Sequence, residues 1–456
     1  MIVMKFGGTS VESAAAIERV AGIVKARLAQ NPVVVVSAMG KTTNKLLAMA
    51  GEAVAGRRDE AARLHSDLHA FHLLEAVQMI DPEERPELDE IIANHFQELA
   101  AFLDELAGLR EFPPQYVDLI SSYGERLSSA IVTLAFLHFG IDAAHVDSRT
   151  VVITDRRHTQ AAPLYARTYA KLESVVAPLA RIRVVVMGGF IGSTQDGFTT
   201  TLGRGGSDFS ASIIGAGIGA QEIQIWTDVD GMLTCDPRIF SGGHRVKIIS
   251  FGEAAELAYF GAKVLHPSTV VPAIEKNIPV RILNSRNPES EGTRIVGNRV
   301  ETTNIVKSIA CKKDITVVNI RSLRMLMAHG FLRRIFEVFD RYRTPVDMVS
   351  TSEVSVSLTI DDTSNLKEIC DELSQIAEVT VDRDQAALCL VGDNITHTPG
   401  VSARVFGSLS KINVRMISQG SSVLNMSMVV AGADLRDAVE ALHTEFFSTL
   451  DPEVFD

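Results

Sequence analysis

Residues 200–208 (TTLGRGGSD) combine three glycines with one fixed cation and one fixed anion, directly before an apolar stretch that predicts a helix. Glycines let backbone N–H groups approach an anion closely, and a helix N-terminus adds a partial positive charge. Arg204 can bind a carboxylate or phosphate through two parallel hydrogen bonds, and Asp208 suits an ammonium group. The segment therefore predicts a site for a zwitterion beside a phosphate, with a glycine-rich turn and an incidental ion pair as the alternative.

A second glycine-bearing segment, residues 5–10 (KFGGTS), ends the first predicted strand and opens the first helix. Open α/β sheets bind ligands at such strand ends. Lys5 is the only charge on its strand and could meet a transferred phosphate, unless it is an ordinary surface lysine. Residues 37–44 and 188–193 place further glycines after strands. Three such strand ends at one sheet edge indicate a nucleotide held largely by backbone donors.

Familiar nucleotide motifs are missing. Val35 replaces the first glycine of a P-loop pattern, and the protein-kinase H-R-D and D-F-G motifs do not occur. Residues 215–220 (GAGIGA) follow a helical pattern and precede a strand, the reverse of the dinucleotide fingerprint, which argues against a Rossmann dehydrogenase. In residues 226–238, Asp228 and Asp230 could coordinate water-bound Mg²⁺ or a ribose, and Arg238 could meet phosphates. An ordinary capped turn explains that segment equally well.

Composition bounds the function class. A chain of 456 residues with 46% hydrophobic residues predicts two or three well-packed domains. The formal charge of −12 argues against a general nucleic-acid binder, whose surface should be basic. No apolar run approaches the length of a membrane span, so we expect no membrane partner. The four scattered cysteines indicate a reducing, cytoplasmic setting.

The first 300 or so residues alternate apolar strands with helical patterns, which predicts a three-layer α/β domain with a mainly parallel sheet. Thr9 and Glu12 have the spacing of a capping box at the start of the first predicted helix. Residues 52–112 predict a helical insertion, in which the one-face spacing of His65, His69 and His72 favours a packed helix over a metal site. The predicted strands are residues 1–6, 32–38, 117–121, 143–147, 183–188, 223–227 and 280–283.

After a linker-like stretch at residues 284–303, a repeat appears in which helices begin near Gly330 and Gly400, each followed by two alternating strands. Each unit predicts the order βαββαβ, the ferredoxin-like arrangement. Two such small units in tandem are typical of a sensor rather than of a second enzyme.

Six motifs in order resemble those of aspartate kinases, members of the amino-acid kinase superfamily. They are residues 5–10, 37–44, 122–129, 200–211, 226–238 and 261–269. The C-terminal repeat resembles the tandem ACT domains of these enzymes, and residues 325–332 and 346–358 look most like the monofunctional, lysine-inhibited type. The resemblance implies a catalytic domain at 1–297 and ACT domains at 305–385 and 386–456, with end strands that can be exchanged between the two.

The resemblance further implies ATP- and Mg²⁺-dependent phosphorylation of L-aspartate to 4-phospho-L-aspartate, the first step towards lysine, threonine and methionine. Lys5, Arg204 and Asp208 would be catalytic, with Leu233 standing where many relatives carry tyrosine. No protein metal site is expected. The residues expected at aspartate are Thr43, Glu125, Arg204, Ser207 and Asp208. Those expected at ATP are Lys5, Gly7, Gly8, Thr227, Asp228, Leu233, Arg238, Lys263 and Val264.

An amino-acid effector, lysine by the resemblance, would bind at the ACT domains of a homodimer or tetramer. Asp347 and Glu353 would meet an ammonium unless both are solvated loop acids, and Ala328 stands where lysine-inhibited relatives often have serine. The rival functions are a kinase of the same fold acting on another acidic amino acid, such as N-acetylglutamate, and a non-catalytic amino-acid sensor. The expected effector residues are Met325, Gly330, Phe331, Leu332, Asp347, Ser352 and Glu353.

Overall fold

The structure is a computed structural model that describes residues 1–81, 83–261, 267–325 and 329–456. It divides into two compact units, residues 1–231 with 265–298, and residues 232–264 with 299–456. The strands are β1 Ile2–Phe6, β2 Pro32–Val36, β3 Ala143–Val146, β4 Ile153–Thr154, β5 Val184–Gly188, β6 Ile191–Thr194, β7 Thr199–Thr201, β8 Glu222–Thr227, β9 Met232–Leu233, β10 Arg245–Val246, β11 Ile248–Ser250, β12 Val280–Asn284, β13 Thr293–Val296, β14 Val306–Arg321, β15 Val349–Thr351, β16 Ser355–Ile360, β17 Glu378–Gly392, β18 Met416–Gln419 and β19 Asn425–Ala431.

The α-helices follow the same chain order. They are α1 Ala14–Lys25, α2 Thr42–Val54, α3 Arg58–Met79, α4 Pro86–Leu109, α5 Pro114–His138, α6 Tyr165–Lys171, α7 Ala177–Ala180, α8 Gly206–Ile218, α9 Phe251–Tyr259, α10 Val271–Glu275, α11 Phe331–Arg341, α12 Leu366–Leu373, α13 Val401–Ser408 and α14 Leu435–Phe447. Among the described residues, no helix is both long and apolar enough to cross a bilayer.

The first unit is built on a mainly parallel sheet with the strand order β13-β12-β8-β1-β2-β5-β3. All neighbouring pairs in this order are parallel except β12 with β13. Every residue of β1, β2 and β5 is buried, because helices cover both faces and leave no solvent-facing side for polar residues. The predicted α/β class and parallel sheet are confirmed.

Helices form the outer layers of this unit. Helices α1 to α5 share one apolar core with Met4 and Val34, whereas α8 packs against β1 and β8. A Cβ atom on Gly215 would lie 2.6 Å from Ile223 Cδ1 and 3.7 Å from Val3 Cγ2. Val3 and Met4 point to opposite faces of the strand, so α8 lies opposite the α1–α5 layer. Gly215 therefore serves helix–sheet packing rather than dinucleotide binding. Gly217 faces Leu172 and Tyr169, and Gly219 ends α8 with a φ of +63°.

Two local expectations are wrong. Residues 117–121 are not a strand but part of α5, whose residues are buried on nearly every side. A short, continuous apolar run cannot distinguish a buried strand from a buried helix, and here the helix prevails. The first helix is capped not by Thr9 and Glu12 but by Ser13, whose side chain accepts from Ala16 N.

The polar stretch after α2 is helical, as predicted, and consists of α3 and α4. A hydrogen bond of 2.9 Å joins His65 Nε2 to the carbonyl of Phe96, and the rings of His65, His69 and His72 all pack on Phe96. Burial lowers the pKa of His72 to about 4, which keeps this imidazole neutral. The histidines belong to a packed helix face, as expected.

The second unit contains a six-stranded antiparallel sheet with the order β15-β16-β14-β17-β19-β18. Strands β14 and β17 run side by side along almost their full length, from Val306 opposite Gly392 to Arg321 opposite Glu378. Helices α11 and α12 cover one half of this sheet with an apolar core, and α14 packs on β14 and β17. Because both long strands extend through both halves, the division between the ACT domains near residue 385 stays a prediction.

Candidate active site

A pocket of about 300 Å³ opens where β1 and β2 end and where α8 begins. Several of the predicted substrate residues meet here, although they are far apart in the sequence. The lining residues are Lys5, Ser37, Thr43, Glu125, Phe190, Gly203, Gly205, Gly206, Ser207 and Asp208.

The charged centre of the pocket is an ion pair between two predicted catalytic residues. Lys5 Nζ lies 2.7 Å from Asp208 Oδ1, and both side chains are largely buried, with 11% and 17% of their surface exposed. The sequence assigned these residues to two different ligand groups, a phosphoryl group and an ammonium. The structure places them in direct contact with each other. A ligand that binds beside one of these charges therefore also interacts electrostatically with the other.

Glu125 supplies a second carboxyl group to the pocket. It lies on the buried side of α5, and among the described residues its Oε2 has no hydrogen-bond partner. Burial raises the pKa of Glu125 to about 8, although a backbone hydrogen bond at Ala38 and the charge of Lys5 act in the opposite direction. An unpartnered buried carboxyl oxygen is costly, and a ligand's ammonium would satisfy it.

Glycines allow the close backbone approaches on which the pocket depends. A Cβ atom on Gly8 would lie 2.9 Å from the carbonyl oxygens of Ala38 and Gly40, and Gly40 N donates to Gly8 O at 3.0 Å. Gly205, which precedes α8, has a φ of +70°, a left-handed conformation that favours glycine. The turns after β1 and β2 are thus locked together beside the pocket.

The remaining substrate residues differ in position. Thr43, in the first turn of α2, and Ser207, in the first turn of α8, line the pocket. Arg204 does not line it; its side chain is exposed on the turn between the lining residues Gly203 and Gly205. Arg204 can therefore bind a carboxylate, as predicted, only if the ligand extends to the rim of the pocket.

A buried network that the sequence did not reveal holds the strand leading into this turn. Asp118 on α5 is fully buried and accepts hydrogen bonds from Thr201 Oγ1 at 2.5 Å and from Thr159 N at 2.9 Å. A third bond of 2.7 Å joins its carboxylate to His158 Nδ1. In the sequence, Asp118 is one acid within a run that predicted a strand, and no motif marked it.

The predicted nucleotide residues fall in both units. In the first unit, Gly7 N donates to the carbonyl of Trp226, and Thr227 Oγ1 donates to Asp228 Oδ1 at 3.2 Å. In the second unit, the carbonyl of Leu233 accepts from Ser308 Oγ, and the exposed Arg238 pairs with Asp236 at 2.7 Å. The hydrogen bonds from Arg238 lower the pKa of Asp236. Lys263 and Val264 lie outside the described residues.

The predicted effector residues lie in the second unit. Asp347 is already engaged, because Lys312 Nζ lies 2.6 Å from its Oδ2. Ser352 and Glu353 are exposed, whereas the side chain of Phe331 belongs to the apolar core. Met325 is half-buried, Gly330 precedes α11, Leu332 is exposed, and Ala328 lies outside the described residues.

Comparisons with known proteins agree with this arrangement. Residues 1–284 match the amino acid kinase family, and residues 388–446 match an ACT domain. A relative from Arabidopsis thaliana, "Aspartokinase 1, chloroplastic", is 38% identical, over 98% of this chain and 80% of its own length.

Two crystal structures are similar over the whole chain. E. coli aspartokinase III in complex with lysine and aspartate (T-state) has a TM-score of 0.84 at 34% identity and covers 98% of this chain and 99% of that chain. The same enzyme in complex with aspartate and ADP (R-state) has a TM-score of 0.80 at 34% identity, with coverages of 98% and 100%. The chain therefore belongs to the aspartate kinases, amino acid kinases that carry ACT domains.

Proposed function

We propose that the pocket around Lys5, Glu125 and Asp208 binds L-aspartate and is where its side-chain carboxylate is phosphorylated by ATP. One observation carries the proposal: a cation and two carboxyl groups line a single pocket of about 300 Å³. The cation suits the reacting carboxylate and the transferred phosphoryl group, and the carboxyl groups suit the α-ammonium of a free amino acid.

The chemistry needs no general base. An aspartate carboxylate is already ionised near neutral pH, so one of its oxygens attacks the γ-phosphorus directly. A new P–O bond forms, the bond from the γ-phosphorus to the bridging oxygen breaks, and ADP leaves with that electron pair. Catalysis then depends on alignment and on neutralising charge, for which Lys5 and the backbone N–H of Gly8 are the proposed groups. The N–H of Gly7 already donates to the carbonyl of Trp226.

Substrate orientation follows from the remaining side chains. Glu125 Oε2, which has no partner within the ranges that the structure describes, would accept a hydrogen bond from the α-ammonium, and so would Asp208. Arg204 would reach the α-carboxylate from the rim, and the hydroxyls of Thr43 and Ser207 would complete the contacts. An N-acetylated substrate has no ammonium that could bind the carboxyl groups of Glu125 and Asp208. This argues against N-acetylglutamate as the substrate.

For the nucleotide, the proposed contacts are Thr227, Asp228, Leu233, Arg238, Lys263 and Val264. Among the described residues, no group of three side chains forms a metal site. The proposed Mg²⁺ ion would be held mainly by nucleotide phosphates and water, with Asp228 and Asp230 as the carboxylates that could coordinate it through water. When bound, Mg²⁺ would neutralise phosphate charge. The similar structure that holds ADP supports a nucleotide in this fold.

For regulation, we propose that lysine binds the second unit near Asp347 and Glu353 and inhibits the enzyme. The similar structure that contains lysine supports this choice of effector.

The strands β15 and β18 form the two edges of the six-stranded sheet, and such edges commonly pair with another copy, which supports a homodimer or tetramer. The ACT boundaries at 305–385 and 386–456 and a cytoplasmic location belong to this proposal.

The test is ATP-dependent acyl-phosphate formation, trapped with hydroxylamine, for L-aspartate and for N-acetyl-L-glutamate, each with and without lysine or threonine. We expect product with aspartate alone and its suppression by lysine. Product from N-acetyl-L-glutamate but not from aspartate would refute the proposed substrate, and indifference to lysine would refute the proposed effector.

A further inference from the structure

The carboxylate of Asp347 already has two partners within the second unit. Lys312 Nζ lies 2.6 Å from Asp347 Oδ2, and Tyr259 Oη donates to Asp347 Oδ1 at 3.2 Å. The Asp347 side chain is 12% exposed. An ammonium that arrives at this carboxylate therefore finds another ammonium in place.

Lys312 also has a second partner within reach. The same Nζ atom lies 2.8 Å from Asp361 Oδ2, and the Asp361 side chain is 46% exposed. Lys312 is thus shared between a mostly buried carboxylate and a more exposed one. It can leave Asp347 while staying paired with Asp361, which lowers the cost of displacing it.

We propose that Lys312 is an internal competitor of the effector and sets its affinity, because its ammonium must leave Asp347 before the effector's ammonium can bind there. The inference rests on the proposed effector role of Asp347. Asp361 acts in the opposite sense, since it accepts Lys312 after displacement and so favours the effector. A competing internal cation lowers the apparent affinity by the fraction of molecules in which Asp347 is available.

The two variants that test this inference have opposite expected effects. Lys312→Met keeps a long unbranched side chain but removes the ammonium, so lysine should bind about three- to tenfold more tightly. Asp361→Asn removes the alternative partner, so lysine should bind about two- to fivefold more weakly. Lys313→Met is the matched control, because Lys313 is the exposed neighbour on the same strand and touches neither carboxylate.

The measurement is calorimetric titration of L-lysine into the full chain and each variant, with thermal unfolding as a check of folding. Tighter binding by Lys312→Met and weaker binding by Asp361→Asn, with Lys313→Met unchanged, would support the inference. Weaker or absent binding by a folded Lys312→Met would overturn it, because Lys312 would then help to build the site. Retained aspartate kinase activity in the same preparations would show that the proposed catalytic function stands independently.

Discussion

Replacing Glu125 with glutamine tests how the pocket recognises an ammonium. The buried carboxyl has a pKa raised to about 8, one of its oxygens has no hydrogen-bond partner in the described part of the chain, and it lies in the same pocket as Lys5 and Asp208. Glutamine keeps the size and a hydrogen-bonding oxygen but cannot become an anion. The variant therefore separates charge from shape.

The magnitude follows from the pKa. With a pKa of about 8, roughly half of the Glu125 carboxyls are ionised at pH 8, about one-tenth at pH 7 and about one-hundredth at pH 6. If aspartate needs the ionised form, its apparent affinity falls with that fraction, so KM should rise by up to about tenfold per unit below pH 8. At pH 8, losing a hydrogen bond between charged groups in Glu125→Gln should raise KM by about ten- to a hundredfold.

The assay is the aspartate KM from pH 6 to pH 8 at saturating ATP, for the wild type and Glu125→Gln. Glu98→Gln is the control, since Glu98 is a half-exposed acid outside the pocket. We expect a steep KM profile in the wild type and the control and a flat one in Glu125→Gln. A flat wild-type profile, or a steep profile that persists in the variant, would refute the reasoning.

The same carboxyl links stability to pH. The pKa of Glu125 is raised from 4.5 to about 8 in the folded chain, so the folded state binds a proton that the unfolded state releases. This contribution to stability is complete below about pH 4.5 and is lost as pH rises through about 8. Glu125→Gln should therefore lose less stability between pH 5 and pH 8 than the wild type, as measured by denaturant unfolding. Identical pH slopes would contradict the raised pKa.

Three further predictions follow from the two units. Lys5→Ala should lower kcat by ~10²-fold or more, because it removes the pocket's cation from the transferred phosphoryl group; near-normal kcat in steady-state assays would overturn this role. Arg204→Ala should raise the aspartate KM far more than it changes kcat, since the exposed Arg204 is proposed to contact the substrate only at the pocket rim; unchanged kinetics would exclude the contact. Tyr259→Phe removes the hydrogen bond from α9 to Asp347, so lysine should still bind in calorimetry but inhibit less completely; an inhibition curve like that of the wild type would rule out this coupling.

Sequence reasoning succeeded where local patterns carry the information. The valine-rich strands, the glycine turns after them and the charged segment before α8 all follow from periodicity and residue type. It failed where burial decides the outcome. Residues 117–121 have the composition of a strand, yet they lie in a long helix that tertiary packing buries on nearly every side. The N-cap of α1 was also wrongly predicted, because both Thr9 and Ser13 can cap a helix and the structure uses Ser13.

The candidate site shows the same division. Lys5 and Asp208 were identified singly, but their mutual ion pair joins residues that are far apart in the sequence, and no local signal reports it. Asp118 gave no signal at all, because its partners come from two distant segments. Likewise, the ion pair between Asp347 and Lys312 depends on how β14 lies beside the irregular segment before β15. These features are products of the fold rather than of any motif.

The central claim is that this pocket selects a free amino acid by its ammonium and phosphorylates its side-chain carboxylate. The most direct measurement compares kcat/KM for acyl-phosphate formation from L-aspartate and from N-acetyl-L-aspartate, which differ only at that ammonium. We predict a loss of at least about 10²-fold for the acetylated compound, because its amide leaves the carboxyl groups of Glu125 and Asp208 without a cationic ligand. Comparable kcat/KM values for the two compounds would contradict the account.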